Sequence, residues 1–327
     1  MDRRQFLVLS AALSLIAPAR TQGLQRERKV KVAVLSTGRS DEDDNLGTRF
    51  YSALRAHGWI EGKNVTYERF FTEGSRDRLD QMAKAAVASK PDLIFTPTAG
   101  AGRAARRATP TIPIVFIAAS DPIAAGLVSS LARPGGNATG VFHMSAASTP
   151  KRMELARELL PGTTRIGIVI DRVAPDHGNQ RREYETAARL LGLPITFAEF
   201  ASFDEVPAAV AKVKAAGASV LMMNASFTLA ARRREFADSA LRNGLALFAY
   251  RGEWADSGAL LSYGAHLVEG HERSAGMAHR ILMGTKPEDM PVEQASRFEL
   301  VLNLRTAKTL GIKPTPAFLT RADRVIE

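Results

Sequence analysis

The sequence predicts an α/β protein built as two doubly wound halves with parallel sheets, and three observations carry that reading. From residue 30 onward, short β-branched runs alternate with longer amphipathic stretches, the pattern that βαβ units impose. The alternation breaks at Arg133-Pro134-Gly135-Gly136-Asn137, where Pro and two Gly punctuate the chain, and then starts again. At about 100–200 residues per domain, the 327 residues hold two such halves, and 45% hydrophobic with 24% charged positions excludes a disordered tail or a coiled coil.

The first half opens with a strand at 30–35, a run of Val and Leu around Lys31. A helix follows at 45–57, with Leu46, Phe50 and Leu54 at helical spacing and Gly58 as its stop. Strands at 65–70, 92–96 and 112–117 then alternate with helices at 78–88, 100–108 and 122–131. In the second half, after an apolar run at 139–142, strands are expected at 165–170, 195–200, 220–224 and 246–250. Helices at 179–191, 206–216 and 228–243 lie between them. The tail holds strands at 259–263 and 298–303, a long helix at 267–283 and two short helices. That is too little for a third domain, so the tail is expected to return and complete both lobes through several hinge crossings. The expected division is 29–138 plus 264–291 for one lobe and 139–263 plus 292–327 for the other, with 1–21 as an export signal.

Met1-Asp2-Arg3-Arg4-Gln5-Phe6-Leu7 opens a charged region followed by apolar residues as far as Ala19. A spanning helix needs about 20 apolar residues, so this shorter run reads as a signal. Arg3-Arg4 before Phe6-Leu7 resembles a twin-arginine signal, with the general secretory route as the alternative. The chain has no cysteine, which excludes disulfides, thiolate metal sites, a Cys nucleophile and a lipid-modified N-terminal Cys. A freely diffusing, soluble periplasmic protein is the expectation. The net charge of +10 alone suggests a polyanion partner. However, the Arg runs 106–107, 181–182 and 232–234 sit at helices with no interleaved aromatic stripe and no helix-turn-helix, so nucleic acid is not expected.

In open α/β sheets ligands sit outside the carboxyl ends of the strands. In the first half those loops carry Ser36, Thr37, Thr96, Thr98, Ala99, Ser120 and Asp121, hydroxyl-rich and each opening towards a helix. A helix N-terminus with a neighbouring hydroxyl suits a carboxylate, and Thr98 and Ser120 are the leading candidates for that contact. Thr98 and Asp121 are also residues that cap helices. In the second half the loops carry Arg172, Asn224, Phe227, Tyr250 and Glu253, with Tyr263 nearby. Phe227, Tyr250 and Tyr263 are candidates for an aromatic wall.

Gly100-Ala101-Gly102-Arg103-Ala104-Ala105, with Asp121 further on, matches a dinucleotide fingerprint, although it follows the third strand instead of the first. An oxidoreductase is therefore the alternative reading. His271-Glu272 lacks the second His that a zinc-binding helix needs, since position 275 is Ala, so no metal is expected. There is no G-x-S-x-G elbow and no P-loop lysine.

Asp121-Pro122-Ile123-Ala124-Ala125-Gly126-Leu127-Val128 and Leu131-Ala132-Arg133-Pro134-Gly135-Gly136-Asn137-Ala138-Thr139-Gly140 closely resemble the signature of one group of ABC-transporter substrate-binding proteins. Gly58-Trp59-Ile60-Glu61-Gly62-Lys63-Asn64-Val65, Leu261-Ser262-Tyr263-Gly264, Pro291-Val292-Glu293-Gln294 and the run from Phe298 to Gly311 also resemble that family. The resemblance implies a type I periplasmic binding fold with two Rossmann-like lobes and three crossovers. It also implies an aromatic or amino-acid-like carboxylate as ligand, an inner-membrane ABC permease as partner, no enzymatic activity and no cofactor. A monomer is expected. A sensor serving a membrane receptor would share this fold. Ala225-Ser226 and Thr96-Pro97-Thr98 depart from the family pattern within the cleft loops, which leaves the ligand's identity open.

Overall fold

The computed structural model describes residues 28–38, 40–119, 121–143, 148–174 and 176–327, with the backbone alone at 40–46 and 267. The signal expected at 1–21 lies outside the described residues. The first sheet contains β1 (Val30–Ser36), β2 (Val65–Phe71), β3 (Leu93–Thr96), β4 (Ile114–Ala118), β5 (Ala138–Phe142) and the short β11 (Glu293–Gln294). Their order is β11-β5-β4-β3-β1-β2 and every pairing is parallel. A parallel sheet is covered on both faces, so its strands read as near-continuous apolar runs. In β1, Val32 and Val34 join Phe95 and Ile117 beneath α1 (Ser40–Ala56) and α10 (Leu267–Leu282), and Phe50 of α1 stacks on Phe95 at 3.8 Å. Ala33 and Leu35 face the other way, against Ala83 of α2 (Leu79–Ala88) and the alanines of α3 (Ala99–Ala108).

The second sheet is built from β6 (Ile166–Asp171), β7 (Ile195–Phe200), β8 (Val220–Met223), β9 (Ala246–Ala249), β10 (Leu261–Ala265), β12 (Phe298–Asn303) and β13 (Arg324–Ile326). Its order is β13-β12-β10-β9-β8-β6-β7, with β10 and β12 the antiparallel pair. Helices α4 (Thr149–Leu159) and α5 (His177–Leu191) pack on one face, and α6 (Val206–Ala215) and α8 (Arg233–Arg242) on the other. The two sheets give two Rossmann-like lobes of the type I periplasmic binding fold.

The chain passes between the sheets three times: after Phe142, between Ala265 and Leu267, and between Gln294 and Phe298. The last two crossings are fastened together by Glu269 in the first turn of α10, a side chain only 5% exposed. Its carboxylate accepts from the backbone N–H of Ser296 (3.2 Å) and Arg297 (2.8 Å), from the Ser296 hydroxyl (3.1 Å) and from Arg273 Nε (2.9 Å). Burial alone would raise this carboxyl's pKa, but those donors hold it at about 2.

Several expectations change. The segment 139–142, placed by the sequence in the second lobe, pairs with β4 in the first sheet, and 293–294 joins it there. The Pro-Gly break is therefore a loop within that lobe. Asn137 anchors it by donating to the carbonyls of Thr109 (2.9 Å) and Ile112 (2.7 Å). The expected helix at 122–131 is a chain of turns, because Gly126 adopts φ +69° and Asp121 caps the first turn by accepting from the Ile123 N–H (2.8 Å). The helix at 228–243 breaks at Arg232 (φ −130°, ψ 40°) into α7 (Phe227–Ala231) and α8. Helix α4 had no sequence forecast. Arg152 lies on its buried side, satisfied by the hydroxyls of Ser148 (2.5 Å) and Thr149 (2.7 Å) and by the Tyr263 carbonyl (3.4 Å), so the apolar stripe is interrupted.

A carboxyl held below its ordinary range stabilises the fold above that range, and the contribution is lost as pH falls through about 2. Glu269→Gln is expected to cost roughly 2–3 kcal/mol at neutral pH. In urea unfolding, the gap between variant and parent should close progressively below about pH 4.

Candidate functional site

The carboxyl ends of both sheets face a shared cleft, which holds a cavity of ≈ 300 Å³ lined from both lobes. On the first lobe, β3 runs through Pro97 into Thr98, whose extended backbone (φ −141°, ψ 150°) and hydroxyl, accepting from the Ala101 N–H (3.4 Å), start α3. Thr37 Oγ1 lies 3.3 Å behind it. A Cβ on Gly102 would approach Leu127 Cδ2 to 2.8 Å and Thr96 Oγ1 to 3.2 Å, so this glycine lets α3 press onto the sheet. That packing accounts for Gly102 of the spacing that resembled a dinucleotide fingerprint, whereas a Cβ on Gly100 would meet nothing within 4 Å. Arg103 and Arg107, one turn apart on α3, both line the cavity. Arg107 pairs with Asp80 (2.5 Å), whereas half-buried Arg103 makes no hydrogen bond or ion pair among the described residues.

On the second lobe, β6 ends in Asp171, whose side chain is 0% exposed. Asn224 fixes the neighbouring strand end by accepting from the Asp171 N–H (2.9 Å). Ser226 caps α7 by accepting from the Leu229 N–H (3.2 Å) and donates its own proton to Asp171 Oδ2 (2.6 Å). Arg76, in the loop after β2, reaches across from the first lobe. It donates to Asp171 Oδ2 (2.9 Å), the Val173 carbonyl (3.1 Å) and Thr228 Oγ1 (3.1 Å), and its guanidinium lies 5.6 Å from the centre of the Phe227 ring. The lobes are thus joined across the cleft by charge and by cation–π contact.

Among the expected site residues, Thr98, Ala99, Phe227 and Tyr250 line the cavity. Ser36 and Thr37 are buried behind Thr98, where Ser36 Oγ accepts from the Gly38 N–H (3.2 Å). Ser120 lies outside the described residues. The others point elsewhere, each for an identifiable reason. Thr96 is sealed under Gly102, and Asp121 closes its own turn. Arg172 turns to solvent and pairs with Glu205 (3.0 Å). Asn224 ties β8 to β6, and Tyr263, partly buried against the second lobe's core, stacks on the exposed Phe298 ring at 5.7 Å. Glu253 pairs with Arg251 (2.5 Å) and lines a separate recess beside His266 and Glu299. Arg76, Arg103 and Asp176 were not anticipated, and Ser226 was placed in a cleft loop with no contact assigned to it. The loop after the second strand, 72–78, was the readable signal for Arg76, since it too lies at a carboxyl strand end.

The comparisons with known proteins agree with this geometry. The family model for ABC transporter substrate binding protein matches residues 29–326. The chain belongs to that family. A relative named tyrosine-binding protein, from Clostridioides difficile (strain R20291), is 25% identical over 274 residues, covering 84% of this chain and 79% of the relative. A Vibrio cholerae structure described as a conserved domain protein superposes with TM-score 0.84 at 27% identity, over 91% of this chain and all of that one (100%). A Streptococcus pneumoniae domain solved with L-Trp shares the fold, with TM-score 0.82 at 24% identity over 91% of this chain and 100% of that one. As a substrate-binding protein the chain works by holding a small molecule, and among its described residues no helix is long and apolar enough to cross a membrane.

Arg76→Ala removes every side-chain bond just described between the lobes. Because Arg76 is partly exposed, the expected cost is on the order of 1–2 kcal/mol. The sharper readout is small-angle scattering of the ligand-free protein, whose radius of gyration should rise as the lobes part. A second variant reports on the second lobe's wall. Burial, then the nearby charge of Asp176, pushes half-buried Glu183 of α5 up to about 7, with Arg152 opposing and Asp121 adding. A raised carboxyl leaves stability intact below the ordinary carboxylate range and removes it as pH climbs to about 7. Glu183→Gln should therefore raise thermal stability at pH 8, by about 1–2 kcal/mol after allowance for solvent screening, and leave it unchanged at pH 4.

Proposed function

We propose that this protein captures a small carboxylate-bearing, aromatic amino-acid-like solute between its lobes and delivers it to an ABC importer's inner-membrane permease, acting as an exported, soluble, monomeric periplasmic component. The observation that carries the reading is the cavity's composition. Phe227 and Tyr250 supply an apolar aromatic wall on one lobe, while on the other the start of α3 at Thr98 and Ala99 meets the uncompensated Arg103. The first turn of a helix carries unpaired N–H groups and about half a positive charge, so an anion there is favoured before any side chain contributes. The tyrosine-binding relative supports an aromatic amino acid as the ligand class.

Closure gives the binding its selectivity. A solute that touches Arg103 on one lobe and Phe227 on the other stabilises the closed arrangement only by its differential contacts with that state. A permease that reads the closed shape then receives loaded protein.

A thermal-shift and calorimetry screen against aromatic amino acids, aromatic acids lacking the amine, and NAD(P)H tests this. An aromatic acid at a hundred times its dissociation constant should stabilise by about 2.7 kcal/mol. Arg103→Gln should weaken every carboxylate ligand by roughly tenfold or more. A response to NAD(P)H alone would overturn this reading.

A further inference from the structure

We propose that Asp176 is a cation subsite of the cleft, accepting the ammonium group of an amino-acid solute whose carboxylate lies against Arg103 on the facing lobe. The inference rests on the solute-binding reading above and adds to it the group that discriminates amino acids from other aromatic acids.

Asp176 is 9% exposed and lines the cavity. It occupies the N-cap position of α5, where an Asp ordinarily accepts from the N–H groups of the first turn. Here its side chain makes no capping bond. Instead Oδ1 accepts from Gln180 Nε2 (2.7 Å), and Gln180 is itself held by the Ala225 N–H donating to its Oε1 (2.6 Å). The second oxygen, Oδ2, accepts from no described residue. The carboxylate is therefore oriented by a fixed neighbour and left with acceptor capacity inside a cavity.

The cavity's other charges do not supply the missing partner. Arg76 is taken by Asp171, Arg107 by Asp80 and Arg251 by Glu253. Oδ2 is not sealed within the protein but opens on the cavity, and an ammonium would offer it three donors on one positive centre. Arg103 on α3 and Asp176 at the start of α5 thus line one cavity with opposite charges from opposite lobes, an arrangement that the two ends of a zwitterion complement.

The test measures L-tyrosine, L-phenylalanine and L-tryptophan beside their counterparts lacking the amine, by calorimetry, in the parent protein, Asp176→Asn and Arg103→Gln. Asn is a good N-cap residue and keeps an acceptor for Gln180, so the variant is expected to fold, with thermal melting as the check. The parent should prefer the amino acids by about 10- to 100-fold, the range of a lost hydrogen bond to a charged group. Asp176→Asn should erase that preference while leaving the amine-free acids unchanged, and Arg103→Gln should weaken both sets alike. Equal parental affinity for the two sets, a folded Asp176→Asn that loses both equally, or binding of amine-free acids only would overturn the subsite while leaving the solute-binding reading standing. If no acid of either kind binds, that reading falls and the subsite falls with it.

Discussion

The cleft takes its form from a carboxylate that no water reaches. Asp171 ends β6 with its side chain fully buried, and its oxygens are satisfied by donors from two different lobes: the Val173 N–H and Ser226 hydroxyl on its own side, and Arg76 from across the gap. Removing one partner from a buried ion pair leaves an uncompensated charge, so parting the lobes carries a penalty unless water enters as Arg76 leaves. Arg76 is 35% exposed on its side chain, which makes that entry feasible and sets the penalty low enough for an opening motion. The same guanidinium packs over Phe227, so the position of the aromatic wall depends on the pair being made.

This junction only works because the hinge behind it has few ways to move. Glu269 binds the backbone of the third crossing from a helix that begins immediately after the second, and the His266 N–H adds a bond to the Arg297 carbonyl (2.9 Å). Two of the three crossings therefore act as one strap. Under the proposed function, rotation about this strap would bring the carboxyl strand ends together without sliding one sheet over the other, as a hinge does and a shear does not. A solute captured as proposed would bias that rotation by binding one arrangement better than the other.

Much of this was legible in the chain. Parallel strands buried on both faces leave apolar runs too regular to miss, so both sheets could be outlined, and Thr98, Ala99, Phe227 and Tyr250 followed from the rule that loops at carboxyl strand ends line the cleft. The misplacements have physical causes. Arg172, Asn224 and Tyr263 have the chemistry of ligand contacts, yet the fold uses it internally: an ion pair, a strand-end bond and a ring stack. Arg152 hid α4 because a buried arginine satisfied by local hydroxyls looks like a polar interruption of an apolar stripe. The Arg133–Asn137 break resembled a domain boundary, but whether a Pro-Gly loop separates lobes or joins two strands of one sheet depends on pairing between distant residues, and local composition does not encode it. Asp176 was invisible for a related reason. Asp before a helix predicts a cap, and only the structure reveals a cap position whose carboxylate is turned to other use.

The net charge of +10 takes on a narrower meaning in this light. Omitting residues 1–21 removes Arg3, Arg4 and Arg20 along with Asp2, so the remainder still carries +8. Inside the cleft, by contrast, arginines are matched almost one for one: Arg76 by Asp171, Arg107 by Asp80 and Arg251 by Glu253. Among the described lining residues, Arg103 and Asp176 remain without an ion-pair partner, on facing walls. The excess positive charge therefore belongs to the rest of the molecule, where salt screens it beyond about 8 Å and where it acts on encounter with anions more than on their final affinity. In the proposed reading, selectivity would fall to Arg103, Asp176 and the aromatic wall, because charges at short range inside a cleft discriminate between ligands of the same net charge better than a screened surface field does.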